Sequence, residues 1–467
     1  MPAPERTQKH LADVELICAE IKRFSSMSWE ELKAHFAKFP QDGIHSIPRP
    51  DRRGSLILGR AGDLAFSRIT DRYLRELGVS GLDFDSHEFR NDLKEEFIEW
   101  VRQERDINET TLREFLQAAE ARNRASHMAL THCIPCSVDF PEQPGEFEVG
   151  MVKFQLMKTF LAANEERIRK RAEHREALQV AANTRASAET RNAQAAPDML
   201  FDELKVFFPT FRWVASVSIP KCDSSISKQR AERAVQAALD LLKLFLTARF
   251  TAGMRHARRL GRPANRTDLT QDAEGEFHIS WSRKSEDAHV EPNWYGMITR
   301  QYAPYWQIAV QILQTPAGPS AKGKLAQRFL DGLAWYGDAV SEQSEAGKLV
   351  KFVAALERIS ITQGESSGGN KLSRRAAMQA CEGPEESFRK YLAACVNIYA
   401  GRSNLMHGAL SPLDRRVPKL CADAEHVSRR ALLRFLTLAR AAPAQGNADE
   451  EWLREQFARL DGHFPKV

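Results

Sequence analysis

Tyr399-Ala400-Gly401-Arg402-Ser403-Asn404-Leu405-Met406-His407-Gly408 reads as the end of a long helix and as the place where that helix carries chemistry. Pro384 stands at the start of the preceding run, Gly408 just past its end and Pro412 beyond. Proline suits a first helical turn, glycine accepts the left-handed residue that closes a helix, and a later proline stops propagation. A helix over 384 to 407 is predicted. Phe388, Tyr391, Leu392, Cys395, Ile398, Tyr399 and Leu405 recur on one side of it, which makes that side the core face. Arg402 falls near Ile398 and Leu405 rather than on the solvent side.

Outward from this helix, the periodic segments after Trp294 are all helical: 298 to 314, 322 to 342, 345 to 360 and 422 to 442, separated by Gly, Ser and Pro breakers. They predict an all-α bundle over residues 296–445, with an ordered or floppy insert at Gln363 to Asn370 and a tail helix in 446–467. Residues 1–160 mix helix and strand. Ser28-Trp29-Glu30-Glu31 resembles a capping box, Leu112 to Arg124 has helical spacing, and Thr131 to Lys158 alternates like a small antiparallel sheet around Pro144-Gly145. Residues 161–196 form a polar helical linker. Residues 197–295 read as a small α/β module with strands at Trp213 to Pro220 and Phe277 to Trp281 and a helix from Ser227 to Ala252. The fold class is α+β multidomain: a mixed α/β N-terminal half followed by an all-α bundle.

Composition narrows the class of protein. With 43% hydrophobic and 28% charged residues the chain is ordinary for a globular protein rather than a disordered one. A formal charge of +5 permits a polyanionic partner without requiring one. The seven cysteines are an odd, scattered set, and the N-terminus lacks the zones of a signal peptide; a cytoplasmic protein with reduced thiols is expected. The longest apolar candidate, Leu239 to Phe250, is interrupted by Asp240, Lys243 and Arg249, so no membrane span is expected.

Cleaving RNA without a metal needs a base for the 2′-hydroxyl, an acid for the leaving 5′-oxygen and a positive group on the phosphorane. Arg and His suit these tasks near neutral pH, and Arg402 and His407 supply one of each. The carbonyl end of a helix favours the protonated imidazole, while a nearby guanidinium opposes it. The spacing alone is weak, since about one such Arg-x4-His pair is expected by chance in a chain of this kind. Three occur: Arg122 to His127, Arg169 to His174 and Arg402 to His407. By position, the second lies in the polar linker and the first precedes the β-rich section, which leaves Arg402 to His407 as the pair that closes a bundle helix.

The stretch around Arg402, together with Trp335-Tyr336-Gly337 and Leu356-Glu357-Arg358-Ile359 on two upstream helices, resembles the Apea-like branch of the HEPN superfamily. The resemblance covers residues 297 to 442 in detail and the earlier part only in layout. It implies a helical domain that dimerises so that two motifs face one cleft, with Arg402 and His407 as the catalytic pair. It also implies metal-independent RNA cleavage to a 2′,3′-cyclic phosphate, no cofactor, and a role in antiphage defence by abortive infection. The residue after the arginine, commonly Asn, Asp or His in that superfamily, is Ser403 here. Three further residues are expected to support the pair: Asn404 to orient phosphate or His407, Tyr399 to stack or pack, and Glu357 to bond Arg402 across helices.

Other readings of the sequence stand beside this one. A catalytically silent dimerisation and RNA- or nucleotide-binding domain is the main rival, and an N-terminal half that senses a phage-derived trigger is a third. His127, His132, Cys133 and Cys136 contain zinc-type ligands, although a lone Cys-x2-Cys beside strands is more often packing. Gly364 to Lys371 follows a helix rather than a strand and so reads as a loop, not a phosphate cradle. The basic runs Arg255 to Arg259 and Arg262 to Arg266 suit either RNA phosphates or solvent.

Overall fold

The structure, a computed structural model, describes residues 3–39, 42–43, 45–48, 55–78, 83–103, 106, 108–138, 144–167, 170, 211–257, 265–271, 277–283, 293–314, 324–362, 364–365, 368–381, 385–441 and 450–465. It is predominantly helical with a small antiparallel sheet. Two compact units divide it, residues 1–130 with 219–230 and residues 131–218 with 231–467. The linker expected over 161–196 lies outside the described residues except for 161–167 and 170, and Arg169 to His174 lies outside them altogether.

In the first unit, α1 (Ala3–Ser25), α3 (Arg60–Glu76), α4 (Ser86–Arg102) and α5 (Glu109–Ser126) surround a core that includes Phe66, Ile69, Phe89, Leu93, Phe97 and Phe115. A hairpin of β1 (His45–Pro48) and β2 (Ser55–Leu58) adds Ile47, Leu56 and Leu58 to this core. Between α1 and β1, α2 (Trp29–Lys38) starts at the expected capping box: Ser28 Oγ accepts from Glu31 N, and the Glu31 carboxylate accepts from Ser28 N at 2.7 Å. Two donors that a helix start leaves bare are thereby satisfied.

The second unit joins a sheet to a bundle. The sheet contains β3 (Met128–Ser137), β4 (Glu146–Val149), β5 (Val152–Leu156), β6 (Trp213–Cys222) and β7 (Arg255–His256), in the order β4-β5-β6-β3-β7. Trp213 and its neighbours therefore share a sheet with strands from 131 to 158. The β4–β5 turn rests on Gly150, whose φ of +64° favours glycine. A two-stranded ladder of β8 (Asn265–Gln271) and β9 (Phe277–Arg283) follows. Of the basic runs, Arg255 and His256 lie on β7, Asn265 and Arg266 on β8, and 258–264 outside the described residues.

After β6 runs α6 (Ser224–Leu246), which ends earlier than the expected Ser227 to Ala252 helix. Nothing in Leu246-Thr247-Ala248 signals a stop. The cause is tertiary: Arg429 donates to the Leu244 and Phe245 carbonyls at 2.7 and 2.9 Å, and Thr247 takes a φ of +77° before the short α7 (Ala248–Thr251).

Among the described residues, eight helices follow: α8 (Trp294–Gln301), α9 (Ala303–Ile312), α10 (Lys324–Ser341), α11 (Glu345–Ser360), α12 (Gly369–Ala380), α13 (Glu385–Met406), α14 (Val417–Ala441) and α15 (Glu450–Asp461). Three differ from the sequence expectation. The single helix over 298 to 314 is two, because Pro304 near the start of α9 cannot donate into a continuous ladder. Helix α12 was hidden by the Gly- and Ser-rich run before it, and its Gly368 N-cap makes no side-chain bond. Helix α14 begins at Val417, not 422, with Pro418 tolerated in its first turn. The described parts of the 363 to 370 insert are ordered around Glu365, which binds Arg375 and Thr362. Among the described residues, no helix is long and apolar enough to cross a membrane.

Candidate active site

Helix α13 forms for the expected reason. Phe388, Cys395 and Ile398 are buried and Tyr391, Leu392, Tyr399 and Leu405 half-buried along one side. Its approach to α14 is set by Gly401, where an added Cβ would lie 2.6 Å from Leu420 Cδ1. The helix then closes in a Schellman arrangement: Gly408 N donates to Leu405 O at 3.3 Å and Ala409 N to Asn404 O at 2.8 Å, with Gly408 at φ +75°. His407 is the last residue before that reversal, and its N–H is bound to Ser403 O at 3.0 Å. Its backbone is thus fixed while its side chain is exposed.

One and a half turns earlier, Arg402 is half-buried. Its Nη2 lies 3.8 Å from Glu357 Oε1 on α11, an ion pair longer than a hydrogen bond. Its Nε is buried without a hydrogen-bond partner among the described residues. A desolvated donor left unbonded costs about 1–3 kcal/mol. Arg402 is therefore oriented by Glu357 without being consumed by it.

The supporting residues separate into distinct roles. Asn404 is exposed, on the same helical side as His407, and its carbonyl takes the Ala409 and Leu410 N–H groups. Ser403 is half-buried and contributes its carbonyl to the His407 N–H. The Tyr399 ring covers Gly369, where a Cβ would fall 2.5 Å from Tyr399 Cε1; this is a packing role, fixing α12 against α13. Upstream, Tyr336 is fully buried with its hydroxyl 3.2 Å from Glu425, whereas Trp335 stays 44% exposed. Trp335 lines a groove of about 260 Å³ with Asp331, Ala334, Asp338 and Arg358, none of which belongs to the 399 to 408 stretch.

The competing pair is distinguished by engagement, not by position. Arg122 and His127 also close a helix, α5, in a helix-rich unit, so the positional argument against them does not hold. Arg122 instead spends its guanidinium on Glu96 at 2.6 Å and Glu95 at 2.7 Å. His127 is buried, 2.9 Å from Asn123 and edge-on to Phe84, and burial lowers its pKa. His127 is thus withdrawn from solvent, and Arg122, though 41% exposed, is held by two carboxylates.

Among the described residues, no group of three or more His, Cys, Asp or Glu side chains lies together as a metal-ligand set. Cys136 is wholly buried on β3 with its thiol on the Ile134 carbonyl, and Cys133 accepts from Ser216. None of the seven cysteines forms a disulfide.

Residues that the sequence reading passed over follow His407 directly. Ser411 to Arg416 form a bonded turn that carries Leu413 at 92% exposure. On α14, the His426 ring stacks on Tyr391. Lys419 and His426, seven residues apart, share one side of α14, but nothing in the sequence marks the Leu413 turn or the ring contact. Comparison of the whole chain with protein-family models, with curated proteins and with solved structures finds no match.

Proposed function

We propose that residues 296–445 form a metal-independent HEPN-type endoribonuclease domain, with Arg402 and His407 as its catalytic pair and RNA as its substrate. The observation that supports this reading is the contrast within the pair: a half-buried guanidinium held loosely by Glu357 at 3.8 Å, and an exposed imidazole on a fixed backbone. Arg402 would bind the non-bridging phosphate oxygens and offset the charge that builds on the phosphorane. His407 would exchange a proton with the 2′-hydroxyl or the leaving 5′-oxygen.

One copy supplies one imidazole, whereas the reaction needs a base and an acid. The exposed side of α13 supports pairing of two copies: Ala393, Val396, Asn397, Ala400 and Asn404 lead to His407 without a charged residue. Solvated helix faces ordinarily carry Lys and Glu, so this strip suits a homodimer that brings two His407 rings together. Action as an antiphage toxin by abortive infection, released by a trigger acting on the N-terminal half, is part of the same reading and rests on the family resemblance.

The test is cleavage of total RNA and of tRNA in EDTA by the wild-type chain, Arg402→Ala and His407→Ala. Cleavage by the wild type, 2′,3′-cyclic ends and loss of at least a hundredfold in both variants at unchanged melting temperature are expected. Undiminished cleavage in the variants refutes the assignment, and so does loss on EDTA alone. RNA binding without scission would favour the catalytically silent alternative.

A further inference from the structure

The surface that leads away from His407 along α14 carries a second set of features suited to RNA. First comes the turn at Ser411 to Arg416. Ser411 O accepts from Asp414 N at 3.0 Å, Ser411 Oγ from Leu413 N at 3.2 Å, and Asp414 from both the Arg416 N and its guanidinium at 2.8 and 2.9 Å. Buried Leu410 and Val417 anchor its two ends. Leu413 is thus 92% exposed on a rigid turn rather than on a floppy loop. An ordered, solvent-facing leucine is an apolar contact awaiting a partner.

Beside it lie cations. Arg415 and Lys419 are exposed and, among the described residues, have no side-chain partner. One further helical repeat along, the His426 and Tyr391 rings are nearly parallel at 5°, with centroids 6.0 Å apart and Nε2 3.1 Å from the Tyr391 hydroxyl. Arg430 lies over the other part of this assembly, 5.6 Å from the Tyr391 centroid, and is itself tied to the Ala380 carbonyl. Burial and the neighbouring Arg430 lower the His426 pKa, so its ring is a neutral stacking plane near pH 7. Cations interleaved with flat rings are how single strands are held without sequence readout.

We propose that the α13–α14 surface from Leu413 to the His426–Tyr391 platform is a binding track for single-stranded RNA, guiding the strand that is cut at Arg402 and His407. Leu413 packs against a base next to the site, Arg415 and Lys419 hold backbone phosphates, and a base further along stacks on His426. A second copy of the chain fits less well, because a two-fold contact centred on Arg415 and Lys419 would bring their like charges together. The proposal deepens the ribonuclease reading and depends on it only for the direction of the strand.

The experiment uses the full chain and a fluorescein-labelled 2′-O-methyl RNA strand, which lacks the reactive 2′-hydroxyl and so reports binding whether or not the protein cleaves. Leu413→Ser and His426→Ala are each expected to weaken binding about fivefold, from the loss of partial apolar burial and stacking. His426→Phe, which keeps a flat ring, restores it. Arg415→Ala and Lys419→Ala each lower the salt dependence by about one ion. Unchanged affinity in Leu413→Ser and His426→Ala overturns the track even if the wild type cleaves RNA. A fall in sedimentation mass with unchanged RNA affinity gives the surface to a second copy and overturns it equally. If the wild type binds this strand with the expected variant pattern but cuts no RNA, the track stands and the nuclease reading falls.

Discussion

Gly401 and Leu420 meet where α13 crosses α14, so closely that a Cβ at 401 would lie 2.6 Å from Leu420 Cδ1. The residue just before Arg402 is therefore the packing hinge of the two helices that bear the candidate site. Gly401→Val must push α14 away, and a cost of about 1–3 kcal/mol is expected from overpacking. Urea unfolding measures it, and Leu420→Ala in the same chain should recover part of the loss. No recovery would mean that the two residues do not limit each other.

Gly408 holds the left-handed conformation that ends α13. Gly408→Ala should cost about 1 kcal/mol in stability. It should also cut RNA cleavage more than stability, because His407 is the residue next to the strained position. Cleavage that falls only in step with the folded fraction would show that His407 does not need this closure.

Glu357 reaches Arg402 from α11 at 3.8 Å, with both side chains about one quarter exposed. A positioning role predicts that Glu357→Ala lowers kcat roughly tenfold with a smaller change in KM, at a stability cost below about 1 kcal/mol for a partly solvated pair. Glu357→Asp, which keeps the charge but shortens the reach, should fall between. Equal losses in kcat and melting temperature would make Glu357 merely structural.

Lys243 and Asp240 form an ion pair with both side chains 1% exposed, and Lys243 also donates to Ser341 Oγ at 2.9 Å and to Gly337 O on α10. Lys243→Met should destabilise by about 3–5 kcal/mol, since it strands a buried carboxylate, whereas Lys243→Met with Asp240→Leu should recover most of that. Chemical denaturation of both proteins decides. An additive double variant would show that the pair is not coupled.

Acid sensitivity has an identifiable contributor at the α10–α11 junction. The Lys351 ammonium, with the Ser344 and Gln343 N–H groups, holds the Glu342 carboxyl down from its ordinary value of 4.5 to about 2. A depressed carboxylate stabilises the folded state above its unfolded pKa, and the benefit is lost as pH falls from about 4.5 toward 2. Glu342→Gln should be less stable than wild type at pH 6, on the order of 1 kcal/mol after screening. The gap should shrink as pH falls below about 4.5 and close only at about pH 2 and below. A gap that stays constant between pH 6 and pH 3 would contradict this.

Much of the helical half was legible because helices announce themselves locally. Pro384, the Phe388 to Leu405 stripe and Gly408 marked α13 within a residue at its end, and the Ser28 capping box marked α2. What escaped notice depended on contacts distant in sequence. Leu246 ends α6 because Arg429, far along the chain, takes its last carbonyls. Helix α12 lacks a capping side chain and hides behind glycines. For the candidate site, the sequence singled out Arg402 and His407, yet its reason for setting aside Arg122 and His127 was mistaken. Both pairs end helices, and only the partners of each group, Glu95 and Glu96 against a single distant Glu357, tell an occupied cation from an available one. The Leu413 turn and the His426–Tyr391 stack were missed because exposure and ring contact have no linear signature.

The Asp240–Lys243 pair and the Arg429 bonds to Leu244 and Phe245 tie α6, which leaves the sheet, to α10 and α14 of the bundle. A bundle separated from α6 by a cut between α7 and α8 would lose the Lys243–Ser341 bond and the bonds of Arg429 to the Leu244 and Phe245 carbonyls. In evolutionary terms the bundle is a poor unit of exchange: a recombination joint just upstream of Trp294 would hand its new host a bundle lacking one wall, so any grafting of the bundle onto another domain should carry α6 along with it.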